Sequence, residues 1–240
     1  MLNKKTGIAS WGASVRGPGH TERDLPNQDS FLIRTYRWGV VAVVSDGLGS
    51  KRFSHIGSAA ACRAVVKAIE KARENKEFDA ADLLELIRAY WLVELAPLRS
   101  KDCSATCLFT YINDESVVIG RLGDGMIGLL GKDGHPDRVF SDDKEDSFAN
   151  TTHSLTSTSA LRHWEILRLS RTACTALVLC TDGVSADIAN GKEAAFMHEL
   201  YASTKEKRSK KNSLECRHWL TNWPTKGHSD DKTLVFLGGV

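Results

Sequence analysis

Five short stretches of this chain put an aspartate where it could act on something outside the core. Asp46 ends the apolar run Val40-Val41-Ala42-Val43-Val44 and leads into Gly47-Leu48-Gly49, Asp29 follows Asn27-Gln28, and Asp182 precedes Gly183. Asp230 and Asp231 open the final apolar segment, and Asp124 stands between Gly123 and Gly125. Taken singly, each reads as an ordinary turn or a helix-capping Asp. Taken together they are harder to leave unpaired, because carboxylates brought to one sheet edge repel one another unless a cation lies between them. Oxygen donors without His or Cys select a hard divalent ion, magnesium or manganese, that keeps part of its water shell. Two such ions can clamp and activate a water for attack on phosphorus. The residues alone therefore point to metal-dependent phosphoester hydrolysis.

The elements that must hold these groups can be read from hydrophobic period. Residues 40–44 are small or β-branched throughout, as in a strand buried on both faces. Further strands are expected at 11–15, 29–33, 105–112, 116–122, 126–130, 164–169, 176–180 and 232–237, with 105–130 forming an antiparallel meander and Asp124 in a hairpin turn. Residues 15–20 read as a glycine and proline loop. Helical spacing runs from His55, with Ile56, Ala60, Val65, Val66 and Ile69 on one stripe. A second helix starts after the N-cap candidate Asp79, carries Leu83, Leu84, Ile87, Trp91 and Leu95, and ends at Pro97. Two more are expected at 192–203 and 213–222. Residues 141–159, acidic and then rich in Asn, Thr and Ser, show no hydrophobic period and read as a mobile flap.

Composition sets the outer limits. The 240 residues are 42% hydrophobic and 26% charged, the profile of a soluble globule, and no linker divides them, so a single domain over 1–240 is expected. No apolar run approaches the roughly 18 residues of a membrane span, and the N-terminus lacks the apolar stretch of a signal peptide. A cytoplasmic protein without membrane association is expected. The net charge of +2 gives no reason to expect nucleic acid as a partner, and the basic run 205–211 reads as a solvated loop. The six cysteines form no CxxC pair and look like small buried residues.

Asn27-Gln28-Asp29-Ser30, Ser45-Asp46-Gly47, Ser104-Ala105-Thr106, Gly123-Asp124-Gly125, Cys180-Thr181-Asp182-Gly183-Val184 and Asp230-Asp231-Lys232-Thr233 occur in one order and spacing. That series resembles the metal-dependent protein phosphatases, the type 2C serine/threonine family, across nearly the whole chain. Gly17-Pro18-Gly19-His20 and Phe148-Ala149-Asn150-Thr151-Thr152 resemble its compact bacterial branch. The resemblance implies an α+β fold, a four-layer αββα sandwich of two antiparallel β-sheets flanked by helices. It also implies two manganese or magnesium ions. Asp46 would bridge both with the Gly47 carbonyl as a further ligand, Asp182 and Asp230 would hold one ion, and Asp29 would serve the other. Asp124 matches a residue that helps a third, looser ion in some relatives. The implied activity is hydrolysis of phosphoserine or phosphothreonine in a phosphoprotein, opposing a partner kinase in a bacterial signalling circuit.

The departures from that pattern are specific. Gln28 stands where many relatives have Glu, and Leu48 where eukaryotic members have a His two residues after the bridging Asp. Ala186 replaces an acid, with Asp187 one place late. The phosphate-binding Arg is out of register, which leaves Arg23 as the candidate and Arg16 as its alternative. His20 is the nearest replacement for the missing general acid, since a neutral-range imidazole can donate a proton to a departing alkoxide. Two rival readings stay open, a pseudophosphatase that binds phosphoproteins or a partner without turnover, and a phosphatase of small phosphate esters.

Overall fold

The computed structural model describes residues 7–74, 79–132, 137–141, 153–156, 158, 161–204 and 209–240. In chain order these form β1 (Ala9–Val15), α1 (Pro18–Glu22), β2 (Ser30–Tyr36), β3 (Gly39–Ser45), α2 (Ser54–Ala72), α3 (Ala80–Leu95), β4 (Cys107–Ile112), β5 (Ser116–Leu122), β6 (Met126–Gly131) and β7 (Arg138–Phe140). Then come β8 (Glu165–Ser170), β9 (Cys174–Cys180), α4 (Asp182–Ser185), α5 (Glu193–Thr204), α6 (Ser209–Thr221) and β10 (Lys232–Gly238). The strands make two antiparallel sheets, ordered β1-β10-β9-β6-β7 and β2-β3-β4-β5-β8.

Alternation along each central strand divides the side chains between layers. Val40, Ala42 and Val44 of β3 meet Leu177 and Leu179 of β9 and Val235 and Leu237 of β10 in a core between the sheets. Val41 and Val43 face the other way, into a core shared with α2 and α3. On the far side, Trp11, Val178 and Phe236 pack beneath α5 and α6 with Met197 and Leu220. The order of layers is helix, sheet, sheet, helix, the α+β sandwich expected.

Local chemistry explains the helices. The run Ala60-Ala61, Ala64, Ala68 and Ala72 gives α2 a flat buried face, so it lies close on β2, β3 and β4. α3 packs on α2, and the fully buried Trp91 donates its Nε1 hydrogen to the Gly57 carbonyl at 3.0 Å. Asp79 caps α3 as expected, its carboxylate accepting from the backbone amides of Ala81 and Asp82.

Three expectations change. β4 and β5 pair as a hairpin, but β6 leaves that sheet and pairs with β9 in the other, so 105–130 is not a meander. Asp124 lies in the crossover between sheets rather than in a hairpin turn. The chain can turn there because Gly123 and Gly125 adopt φ of +87° and +109°, which a side chain would resist. The loop expected at 15–20 contains the short helix α1, with Pro18 in its first turn and His20 buried. The flap expected over 141–159 lies outside the described residues except for 141, 153–156 and 158. Within it, Leu155 is fully buried and its amide donates to the Ala105 carbonyl at 2.8 Å. The basic run lies outside them at 205–208. All six cysteines are free and buried, as expected. Among the described residues no helix is long and apolar enough to cross a membrane.

Candidate metal centre

The end of β3 is pinned from two sides. The Asp46 amide donates to Thr106 Oγ1 at 2.9 Å and its carbonyl accepts from the Thr106 amide at 2.8 Å. Leu48 N donates to the Ser104 carbonyl at 3.0 Å, and Gly47 N to the Gln28 carbonyl at 3.1 Å. Ser104-Ala105-Thr106 is therefore a backbone clamp on the Asp46 loop. Gly47 is required for close approach, because a Cβ there would sit 2.6 Å from the Ser54 carbonyl.

Asp29 stands at the start of β2, buried, with its amide donating to Asn27 Oδ1 at 2.9 Å. Its Oδ2 accepts a 2.7 Å hydrogen bond from Thr181 Oγ1, the residue preceding Asp182. Asp182 opens α4 directly after β9. Asp230 is exposed in the segment before β10, and its Oδ1 accepts from the Asp231 amide at 2.9 Å.

The charges of these aspartates act on one another. Burial pushes Asp46 well above the usual carboxylate range, and the neighbouring Asp29, Asp182 and Asp230 push it further. Asp29 is raised to about 7, chiefly by burial, against the stabilising hydrogen bond from Thr181. Asp29 and Asp46 act on each other directly, and the charge of Asp29 is the largest cause after burial of the upward shift of Asp46. Asp182 is raised to about 6 by burial, then by Asp230 and Asp124. The structure thus brings Asp29, Asp46, Asp124, Asp182 and Asp230 into one electrostatic field, from segments of both sheets.

Among the described residues, no three His, Cys, Asp or Glu side chains are arranged so that they could hold a metal ion. The donor set nevertheless fits a hard divalent cation: all its donors are oxygens, Asp29 is buried, Asp46 and Asp182 are half-buried, Asp230 lies at the solvent edge, and the raised pKa values of the first three are what a cation would relieve. Asp46 with the Gly47 carbonyl, Asp182, Asp230 and Asp29 are the residues that would hold such ions.

His20 is not a loose loop residue. Its Nδ1 lies 2.8 Å from Oδ2 of the buried Asp231. Arg23, exposed just after α1 at its C-cap, donates from Nε to the Gly19 carbonyl at 2.9 Å, and Arg16 donates to Thr21 Oγ1 and the Leu25 carbonyl. Thr181 and Lys232 stand inside motifs quoted from the sequence, but neither had a role there. The place of Thr181 before Asp182 is a signal for one, whereas the burial of Lys232 is visible only in the fold. Lys232 is almost fully buried beside the cluster, and its Nζ donates to the Asp230 carbonyl at 3.0 Å and meets His228 Nδ1 at 3.0 Å. Burial lowers its pKa, while Asp187, Asp230, Asp29 and Asp231 hold it up.

Comparison with known proteins agrees with this fold. The fold matches the phosphatase domain of the Bacillus subtilis cell-fate determinant SpoIIE with a TM-score of 0.62 at 14% identity, covering 96% of this chain and 62% of that one. A bacterial serine phosphatase matches with a TM-score of 0.67 at 15% identity, over 97% and 98% of the two chains. The catalytic domain of the serine/threonine phosphatase PstP, solved with two manganese ions, matches with a TM-score of 0.60 at 17% identity, over 96% and 97%. No curated protein matches in sequence. A model of the family described as Protein phosphatase 2C matches residues 16–223, and this chain belongs to that family.

Proposed function

We propose that the protein is a metal-dependent serine/threonine phosphatase that removes phosphate from a phosphoprotein in the cytoplasm, opposing a partner kinase. The observation that carries this reading is the crowding of acids at one end of the two sheets: burial raises Asp29, Asp46 and Asp182, and neighbouring carboxylates, Asp230 among them, raise Asp46 and Asp182 further. Two manganese or magnesium ions, with Asp124 available to a third, would supply Lewis acidity and activate the attacking water. The chain's own residues do the rest. Asp46 carries the charge that both ions need, and Thr181 and the Ser104–Thr106 clamp hold Asp29 and Asp46 in place. Arg23, exposed at the C-cap of α1 with its Nε held by the Gly19 carbonyl, would meet the phosphate of an incoming protein through its terminal guanidinium nitrogens. His20, oriented through Nδ1 by Asp231, offers its other ring nitrogen as the proton donor to the departing alkoxide.

The test is phosphate release from an aryl phosphate and from phosphoserine and phosphothreonine peptides, with manganese, with magnesium and with chelator. Release from the peptides that needs metal supports the reading. Release from small esters alone would make the protein a small-molecule phosphatase. The pseudophosphatase reading is favoured by Gln28, by Leu48 and by the absence of a three-ligand arrangement among the described residues; peptide binding without release would establish it.

A further inference from the structure

Of the paired acids Asp230 and Asp231, the second is turned inward and 1% exposed. A buried carboxylate is costly unless donors surround it. Asp231 has three, all from the β1–β2 segment. Gly17 N donates to Oδ1 at 2.7 Å, Gln28 N to Oδ2 at 2.6 Å, and the His20 Nδ1 hydrogen to Oδ2 at 2.8 Å. The Gln28 peptide then passes the link on. Its carbonyl accepts from Gly47 N at 3.1 Å and from Ser58 Oγ at 2.6 Å. One line of hydrogen bonds therefore runs from Asp231, through the peptide next to Asp29, to the backbone next to Asp46. The backbone of Asp231 itself adjoins Asp230.

We infer that Asp231 is a positioning residue for the metal centre: a buried acceptor that never touches an ion but sets where Asp29, Asp230 and the Asp46-Gly47 loop stand. This rests on the metal-centre reading above. Three of the about four lone-pair directions of the Asp231 carboxylate are taken by protein donors and the group is buried, whereas Asp230 is exposed. Its work is to hold three ligand-bearing segments, from β2, β3 and β10, in one register. Residues that orient metal ligands without binding metal cost about 10- to 100-fold in metal affinity when lost.

The test reads metal directly, without turnover: titration of the full chain with manganese, following free ion by electron paramagnetic resonance, with circular dichroism to verify folding in chelator. Asp231→Ala removes all three acceptor contacts and should weaken manganese binding about 10- to 100-fold. Asp231→Asn keeps a carbonyl oxygen for Gln28 N and His20 but presents an amide to Gly17 N, so its affinity should fall between wild type and Ala. A folded Ala variant with wild-type affinity would overturn the inference, as would an Asn variant as weak as Ala, since charge alone would then matter. Should the Ala variant fail to fold, the Asn variant decides: weakening of about three- to tenfold supports positioning, and a smaller or a larger loss overturns it. Absence of manganese binding in the wild type would instead overturn the metal-centre reading, and this inference with it.

Discussion

Thr181 Oγ1, at the end of a strand in one sheet, donates a 2.7 Å hydrogen bond to Asp29 Oδ2, at the start of a strand in the other. The same oxygen accepts from Thr233 N at 3.1 Å, so one hydroxyl ties β9 and β10 to the most buried of the candidate aspartate ligands. Thr181→Val keeps the shape and removes both links. A lost hydrogen bond to a charged group costs about 1.5–3 kcal/mol, so urea denaturation with manganese present should show a loss of that size. Thr181→Ser should recover most of it. A Val variant as stable as wild type would mean that water replaces the hydroxyl.

Asp46→Asn separates function from stability. Asp46 is held above its usual range by burial and three like charges, so removing its charge relieves repulsion in the metal-free fold. Stability in chelator should stay level or rise, while turnover at saturating manganese should fall about 10²-fold or more, as when a transition-state charge partner is lost. Wild-type turnover in the Asn variant would end the two-metal reading.

His20→Ala is expected to discriminate between substrates. A serine alkoxide leaves slowly unless protonated, an aryl oxide leaves readily, and a general acid contributes about 10² to 10⁴ in rate. Peptide hydrolysis should therefore drop far more than aryl phosphate hydrolysis, and the alkaline limb of the peptide pH profile should vanish. Equal losses on both substrates would reassign His20 to positioning through Asp231.

The metal-free protein should lose stability as pH rises. Asp182 and Asp29, raised to about 6 and about 7, keep protons in the fold that the unfolded chain would have released. Their contribution is full below the ordinary value of 3.8 and is lost as pH passes through 6 and then 7. A divalent cation replaces those protons, so added manganese should raise the unfolding midpoint more at pH 8 than at pH 5. An equal gain at both pH values would show that the acids do not face the ion.

Much of this molecule was legible in its residues. A run such as Val40–Val44 has no polar face to give to water, so β3 had to be buried on both sides, and Asp46 had to mark where the core ends. The helices α2 and α3 followed from their apolar stripes and from Asp79, because those signals are local. The short helix α1 did not, since five residues are fewer than two turns and leave no period to read.

What the sequence determined by itself was that several carboxylates stand at strand ends with no His or Cys among them, and from this came the expectation of a hard divalent ion and of phosphoester hydrolysis. What only the tertiary structure decided was which strands face each other and which acids share a field. An alternating strand is equally content in either sheet, and β6 joined β9 because the Gly123-Asp124-Gly125 turn redirects the chain toward a partner some fifty residues later. The orientations of Asp230 and Asp231 were decided the same way. Neighbours on an extended chain point to opposite sides, and the pairing of Lys232 with Val15 turned Asp231 onto Gly17, His20 and Gln28 and left Asp230 toward solvent.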